Sequence, residues 1–163
     1  MPKYVLDSGF DYDFSLLAIS SAEPDYKLCI HINRILSIEL SRSTPIELSA
    51  KNMRTPLSFS CFMFEEDEEE ENRYILLANR SMNTVSAVGK PSGLSLFDDE
   101  SSADMKGFLI PELLQADYLL LLQHDHHAEL AKHLASELKK LNFVQTVQTI
   151  DPETLSSKKN LII

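Results

Sequence analysis

Apolar residues in this chain gather in a few dense runs separated by polar stretches, and the spacing inside each run predicts its element. Residues 14–19 form a compact apolar run with Ser20 and Ser21 behind it, the pattern of a buried strand that ends in capping residues. Pro24 and Asp25 suit the first turn of a helix, where a missing amide proton costs little and negative charge meets the helix dipole. Leu28, Ile32, Ile35 and Leu36 then recur at helical spacing and define an apolar stripe to about Leu36. Residues 38–48 carry a weaker pattern, interrupted by Thr44-Pro45. Proline cannot donate to a ladder, so this stretch fits one or two short strand fragments at a sheet edge.

Residues 57–64 and 74–79 read as partners in an antiparallel hairpin. Leu57, Phe59, Cys61 and Met63 alternate with Ser58 and Ser60, which puts the two sets on opposite faces. Between the two runs lies an acidic stretch, residues 65–72. Adjacent like charges repel and cannot bury, so a solvated hairpin tip is its natural position. Residues 81–106 turn to serine, glycine, aspartate and small side chains, and offer so little to pack that they read as a long, flexible insertion.

Dense apolar sequence returns at residues 108–123. Pro111-Glu112 starts one helical turn in this reading, and residues 116–123 form a central strand. Asp125 is placed to cap the next helix, in which Leu130, Leu134, Leu138 and Leu141 give the strongest helical periodicity of the chain. Lys139-Lys140 suit that helix's C-terminal end. Residues 143–150 have strand composition, Asp151-Pro152 ends them, and the apolar Leu161-Ile162-Ile163 is placed to dock on the body or on a second copy. The order strand, helix, antiparallel strands, strand, helix, strand predicts an α+β fold. An antiparallel-rich sheet would carry both helices on one face, with a ferredoxin-like core and an added hairpin fitting the order. Residues 1–163 read as a single domain.

Charge narrows the partners. The formal net charge is -10, which repels phosphate backbones and argues against nucleic acid and anionic membranes. No apolar run approaches the roughly 20 residues that cross a bilayer, and the N-terminal residues lack the pattern of a secretory signal. Cys29 and Cys61 sit within apolar patterns and read as buried, reduced thiols. A cytoplasmic location is the expectation.

Candidate chemistry centres on the run from Ile110 through Pro111 and Glu112 to Asp117 and Tyr118. Two carboxylates and a tyrosine stand here in apolar sequence, and desolvating an unpaired carboxylate costs several kcal/mol. As a site, the pair would be an acid and a base tuned by burial. As structure, Glu112 would satisfy turn amides, Asp117 would meet Arg34, Arg73, Arg80 or backbone donors, and Tyr118 would hydrogen-bond through its hydroxyl. The same block resembles the I-P-E-x-x-x-V-D-Y signature of a bacterial protein family without an assigned activity, with Ala116 in place of the valine. That resemblance implies a bacterial, cytoplasmic protein and transfers no catalytic residue, cofactor or substrate.

The histidines are the second candidate. His126 and Glu129, and Glu129 and His133, share a helix face in pairs, so either pair could give two metal ligands. His126 and His133 lie about 10 Å apart along the axis, too far for one ion, and no third ligand stands at diagnostic spacing. The acidic run lacks the glycine and ligand alternation of a calcium loop. No nucleophile elbow, phosphate loop, dinucleotide fingerprint or paired-cysteine zinc site occurs. The sequence therefore favours a non-catalytic protein-interaction module without cofactor, with a protein partner or a homodimer formed through a sheet edge or the apolar C-terminal residues. The alternative is a small-molecule-binding protein or enzyme using Glu112, Asp117 and Tyr118, with a divalent metal near the histidines.

Overall fold

The apolar runs read as strands at residues 14–19 and 116–123 lie side by side in the middle of one sheet. The structure, a computed structural model, describes residues 12–49, 53, 55–66, 72–85 and 105–163. Its first half contains β1 (Ser15–Ser21), α1 (Asp25–Leu36), β2 (Ser41–Arg42), β3 (Ile46–Leu48), β4 (Leu57–Phe59) and β5 (Cys61–Glu65). The second half contains β6 (Arg73–Ala78), β7 (Arg80–Val85), β8 (Met105–Phe108), β9 (Tyr118–Gln123), α2 (His127–Leu138) and β10 (Val144–Ile150).

Six strands form the main sheet in the order β10-β1-β9-β6-β5-β2, and every neighbouring pair is antiparallel. With α1 after β1 and α2 after β9, the strands β1, β6, β9 and β10 stand in the order fourth, first, third, second. That is the ferredoxin-like arrangement, widened by β5 and β2. Both helices cover one face: Leu28 and Ile32 of α1 and Ala131, Leu134 and Leu138 of α2 pack on Leu17, Ile19, Leu120 and Leu122. The opposite face presents Leu16, Ala18, Leu119, Leu121, Ile75 and Leu77. It is sealed by Leu57 and Phe59 of β4, by Leu109 and Ile110, and by Leu155 and Leu161 of the C-terminal segment. Strands buried on both faces lose the alternation of a half-solvated sheet, which is why β1 and β9 read as unbroken apolar runs.

The α+β class and the shared face of the helices are as the sequence predicts; several details are not. The stretch 57–64 is two strands: β5 pairs with β6 as expected, whereas β4 pairs with β3 in a separate ribbon. The predicted alternation survives the break, since Leu57, Phe59, Cys61 and Met63 all join the second core. Of the acidic tip 65–72, residues 67–71 lie outside the described residues. The expected insertion 81–106 begins and ends in strand, because β7 and β8 pair with each other; residues 86–104 lie outside the described residues.

Asp125 does not cap α2. The residue before the helix is His126, with no side-chain cap, and its amide donates to Nδ1 of His124 at 3.0 Å. Leu161 docks on the body and is 2% exposed, while Ile162 and Ile163 stay exposed. Cys29 and Cys61 are free and buried, and burial pushes both thiols up from their ordinary pKa. Among the described residues no helix is long and apolar enough to cross a membrane.

Candidate functional site

Asn79, at the end of β6, organises the motif, and it is fully buried. Its Oδ1 accepts the Ile110 amide at 2.8 Å, and its Nδ2 donates to the carbonyls of Leu113 at 2.9 Å and Ala116 at 3.0 Å. Its backbone amide donates to the Asp117 carbonyl, and its carbonyl accepts from Leu109, both at 2.9 Å. Pro111 opens the 3-10 turn Pro111–Leu113, where its missing amide proton leaves nothing unsatisfied. The turn is thus wound around one carboxamide, which supplies the partners that buried backbone groups require. Ala116 is buried in the second core and gives its carbonyl to this clamp.

The acids that the turn carries point to different places. Glu112 is exposed and accepts the Ser157 amide at 2.7 Å, tying the turn to the C-terminal segment. Partial desolvation raises the pKa of its carboxyl, but hydrogen bonds from its own amide, from Ser157 and from Ser156 outweigh that and hold it below the ordinary value. Asp117 sits on the other side of the turn. Its Oδ2 accepts from the Ser21 amide at 3.0 Å and the Ser20 hydroxyl at 3.2 Å, and its Oδ1 pairs with Arg80 Nε at 3.0 Å. Of the three arginines proposed for Asp117, Arg80 is the partner; Arg73 pairs with Glu65 instead. Tyr118 donates its hydroxyl to the Glu23 carbonyl at 2.7 Å. Burial, followed by the nearby charges of Asp25, Asp117 and Glu23, pushes this phenol up to about 12.

Among the described residues, two hollows that flank the motif share none of its acids. Asp117 and Tyr118 line an open cleft of about 400 Å³ with Glu23, Asp25, Arg80 and Lys106 at the start of α1. Glu112 lines a separate groove of about 330 Å³, whose wall is residues 112–116 and whose floor is Ala18, Thr146 and Gln148. The structure therefore brings Asp117 and Tyr118 together and sets Glu112 apart. Asp117 is held by three donors, and Tyr118 donates its hydroxyl to the Glu23 carbonyl, so both side chains are committed to fixed partners.

His126, Glu129 and His133 are all exposed, and among the described residues no three His, Cys, Asp or Glu side chains gather closely enough to hold a metal ion. His127, one of the histidines in the candidate group, is tied instead to the start of β1. His127 Nδ1 lies 2.8 Å from Ser15 Oγ and its Nε2 lies 3.2 Å from Asp13 Oδ1. This order of groups matches a nucleophilic triad, but the access is inverted: the Asp13 side chain is 80% exposed and Ser15 is buried. A triad needs its acid shielded and its hydroxyl within reach of substrate. The chain Ser15–His127–Asp13 instead fastens the start of α2 to the start of β1.

Among the described residues, the longest strand edge without a paired neighbour is the outer edge of β10. The Ile19 carbonyl accepts from Asp117 on the β9 side, and the Ala22 amide donates to the Phe143 carbonyl on the β10 side. Backbone groups alternate in direction along a strand, so Ala18 and Ser20 face β10, and their partners Gln148 and Thr146 face β1. The amides and carbonyls of Val147 and Thr149 are consequently turned outward. Among the described residues, no strand pairs with them. Comparison with known protein families, curated proteins and solved structures gives no match to this chain.

Proposed function

We propose that this chain is a non-catalytic protein-interaction module that accepts an extended segment along the outer edge of β10. The observation that carries the reading is the edge itself. It runs from Val144 to Ile150 with no charged residue, proline or glycine, and is regular from Thr146 to Ile150 after a bulge at Gln145. Proteins that must keep an edge single normally blunt it with lysine, proline, bulges, a very short strand or a covering element; in β10 the only such device is the bulge near its start, and Thr146 to Ile150 stay open. The opposite edge of the sheet follows that rule: β2 has only two residues, one of them Arg42, which packs its guanidinium over Phe62.

The groove beside β10 supports the same reading. In strand addition the main chain supplies affinity and pockets for alternate side chains supply selectivity. Thr146 and Gln148 lie on the edge strand and floor the groove, while the signature turn forms its wall. On this view Asn79 holds the turn in place so that the groove keeps its shape. The resemblance to the IPExxxVDY family belongs to this proposal, rests on Ile110, Pro111, Glu112, Asp117 and Tyr118, and brings no activity with it.

The test is a crosslinked pull-down of the tagged chain from native extract, with Thr149→Pro alongside. The Thr149 amide points away from β1, so proline there blocks an incoming strand without removing an internal ladder bond. Recovery of a stoichiometric partner by the parent chain, lost in a variant that still unfolds cooperatively, is the expected result. Equal recovery by both proteins would remove β10 as the contact.

A further inference from the structure

Resting on that interaction reading, we infer that the segment taken up by β10 is β10 of a second copy, antiparallel about a two-fold axis through Val147. The edge reads Val-Gln-Thr-Val-Gln-Thr-Ile. Turned on itself about Val147, it places Val147 opposite Val147 and Thr146 opposite Gln148; the regular pairing stops at Gln145, the extra residue of a bulge where Ser20 pairs with Thr146 and Ser21 with Val144. Apolar meets apolar and neutral polar meets neutral polar at each of these positions, so the edge is complementary to itself, as an isologous contact requires.

The backbone fits the same axis. Val147 and Thr149 turn their amides and carbonyls outward, so the two copies of Val147 exchange a pair of hydrogen bonds at the centre. Thr146 and Gln148 already bond inward to β1, through Ser20 and Ala18, and form the close pair without hydrogen bonds on either side of the axis. Both side chains are exposed and border the groove, where Leu114 stands 58% exposed. Each copy would therefore bring the polar side chains of its edge to the mouth of the other's groove and join two six-stranded sheets into one. The net charge of -10 opposes the approach of two copies, yet none of it lies on the strand that forms the seam.

The geometry of the close pair gives a direct test. Thr146→Cys and Gln148→Cys are prepared as separate proteins, mixed, and oxidised; Cys29 and Cys61 are buried and stay out of the reaction. A disulfide joining position 146 of one chain to position 148 of another, absent or scarce when each protein is oxidised alone, is the expected result. Sedimentation of the parent chain should show a concentration-dependent dimer, and Thr149→Pro should abolish it. Thr149→Lys, a milder change on the same exposed position, should do the same if the proline variant fails to fold. A dimer that persists in Thr149→Lys and gives no 146-to-148 crosslink would overturn the β10 seam. A parent chain that stays monomeric while a β10-dependent partner is recovered from extract would overturn self-pairing and leave the interaction reading in place. A partner recovered equally by parent and Thr149→Pro would overturn the interaction reading at this edge.

Discussion

Asn79 and Ile110 contact each other through both ends of one carboxamide: Oδ1 accepts the Ile110 amide at 2.8 Å, and Nδ2 lies 3.5 Å from the Ile110 carbonyl. The same nitrogen reaches Leu113 and Ala116, so a single side chain closes the turn that carries Glu112.

Asn79→Ala should therefore be among the most damaging changes in the chain. It strands the Ile110 amide and the Ala116 carbonyl in a buried site, at about 1–3 kcal/mol for each group left unsatisfied. The expected loss is roughly 3 kcal/mol or more, read from the shift of the urea midpoint at unchanged slope. A midpoint within error of the parent would mean that the turn holds its shape without the clamp.

Asp117→Ala should cost about 1–3 kcal/mol, because it leaves the Ser21 amide without its acceptor at the end of β1. Asp117→Asn tests the charge separately: a carboxamide oxygen still accepts from Ser21, but the pair with Arg80 is lost. Since the Asp117 side chain is 25% and the Arg80 side chain 46% exposed, that pair should contribute less than the hydrogen bond. Equal losses for the two variants would contradict this order.

Glu112 should make stability depend on pH in the acid range. Its folded pKa lies below the ordinary value, so the unfolded chain takes up the proton first as pH falls. The contribution is then fully present above the ordinary glutamate pKa of about 4.3, and disappears as pH falls through the lower folded value. Urea midpoints of the parent and Glu112→Gln should differ at pH 6 and converge once the pH has fallen through the lowered folded value. A gap that persists at low pH would assign the difference to packing.

Gly107 in β8 is set by contact with β4. A Cβ at this position would run into the Leu57 side chain, with Cγ at 3.1 Å, and Leu57 is itself buried. Gly107→Ala should destabilise by about 1–3 kcal/mol, as overpacking does. Combining it with Leu57→Ala should give less than the sum of the two single losses, which a double-mutant cycle reads directly. Strict additivity would mean that Leu57 is not the obstacle.

The parts of the fold that were legible in sequence are those whose burial is dense and local. The runs at β1 and β9, the stripe of α1 and the leucines of α2 each carry their own periodicity. The parts that were not legible depend on bonds between distant residues. Asn79 is a polar residue at a strand end, and nothing nearby signals that it meets a turn 31 residues further on. Strands β7 and β8 have little apolar content, yet Asn83 bridges β7 to β4 by accepting the Ser58 amide and donating to the Pro56 carbonyl. His127 reaches Ser15 across 112 residues. Asp125 satisfies the usual pattern of a helix cap, but His124 takes up the amide of the residue before the helix. Of the signature, the sequence showed which residues were unusual, and named Arg80 among the partners of Asp117; it could not show that Glu112 and Asp117 face different hollows.

The uncharged strand at the rim of an acidic body has a consequence for the medium in which copies meet. The proposed pairing along β10 would be short-ranged and made of neutral groups, whereas the repulsion between two bodies of charge -10 acts over a Debye length, about 10 Å at 0.1 M salt. Added salt shortens the repulsion and leaves the strand contact untouched. Ionic strength should thus promote association here, opposite to its effect on an interface held by ion pairs, and a dilute, salt-poor solution is where the chain should stand alone.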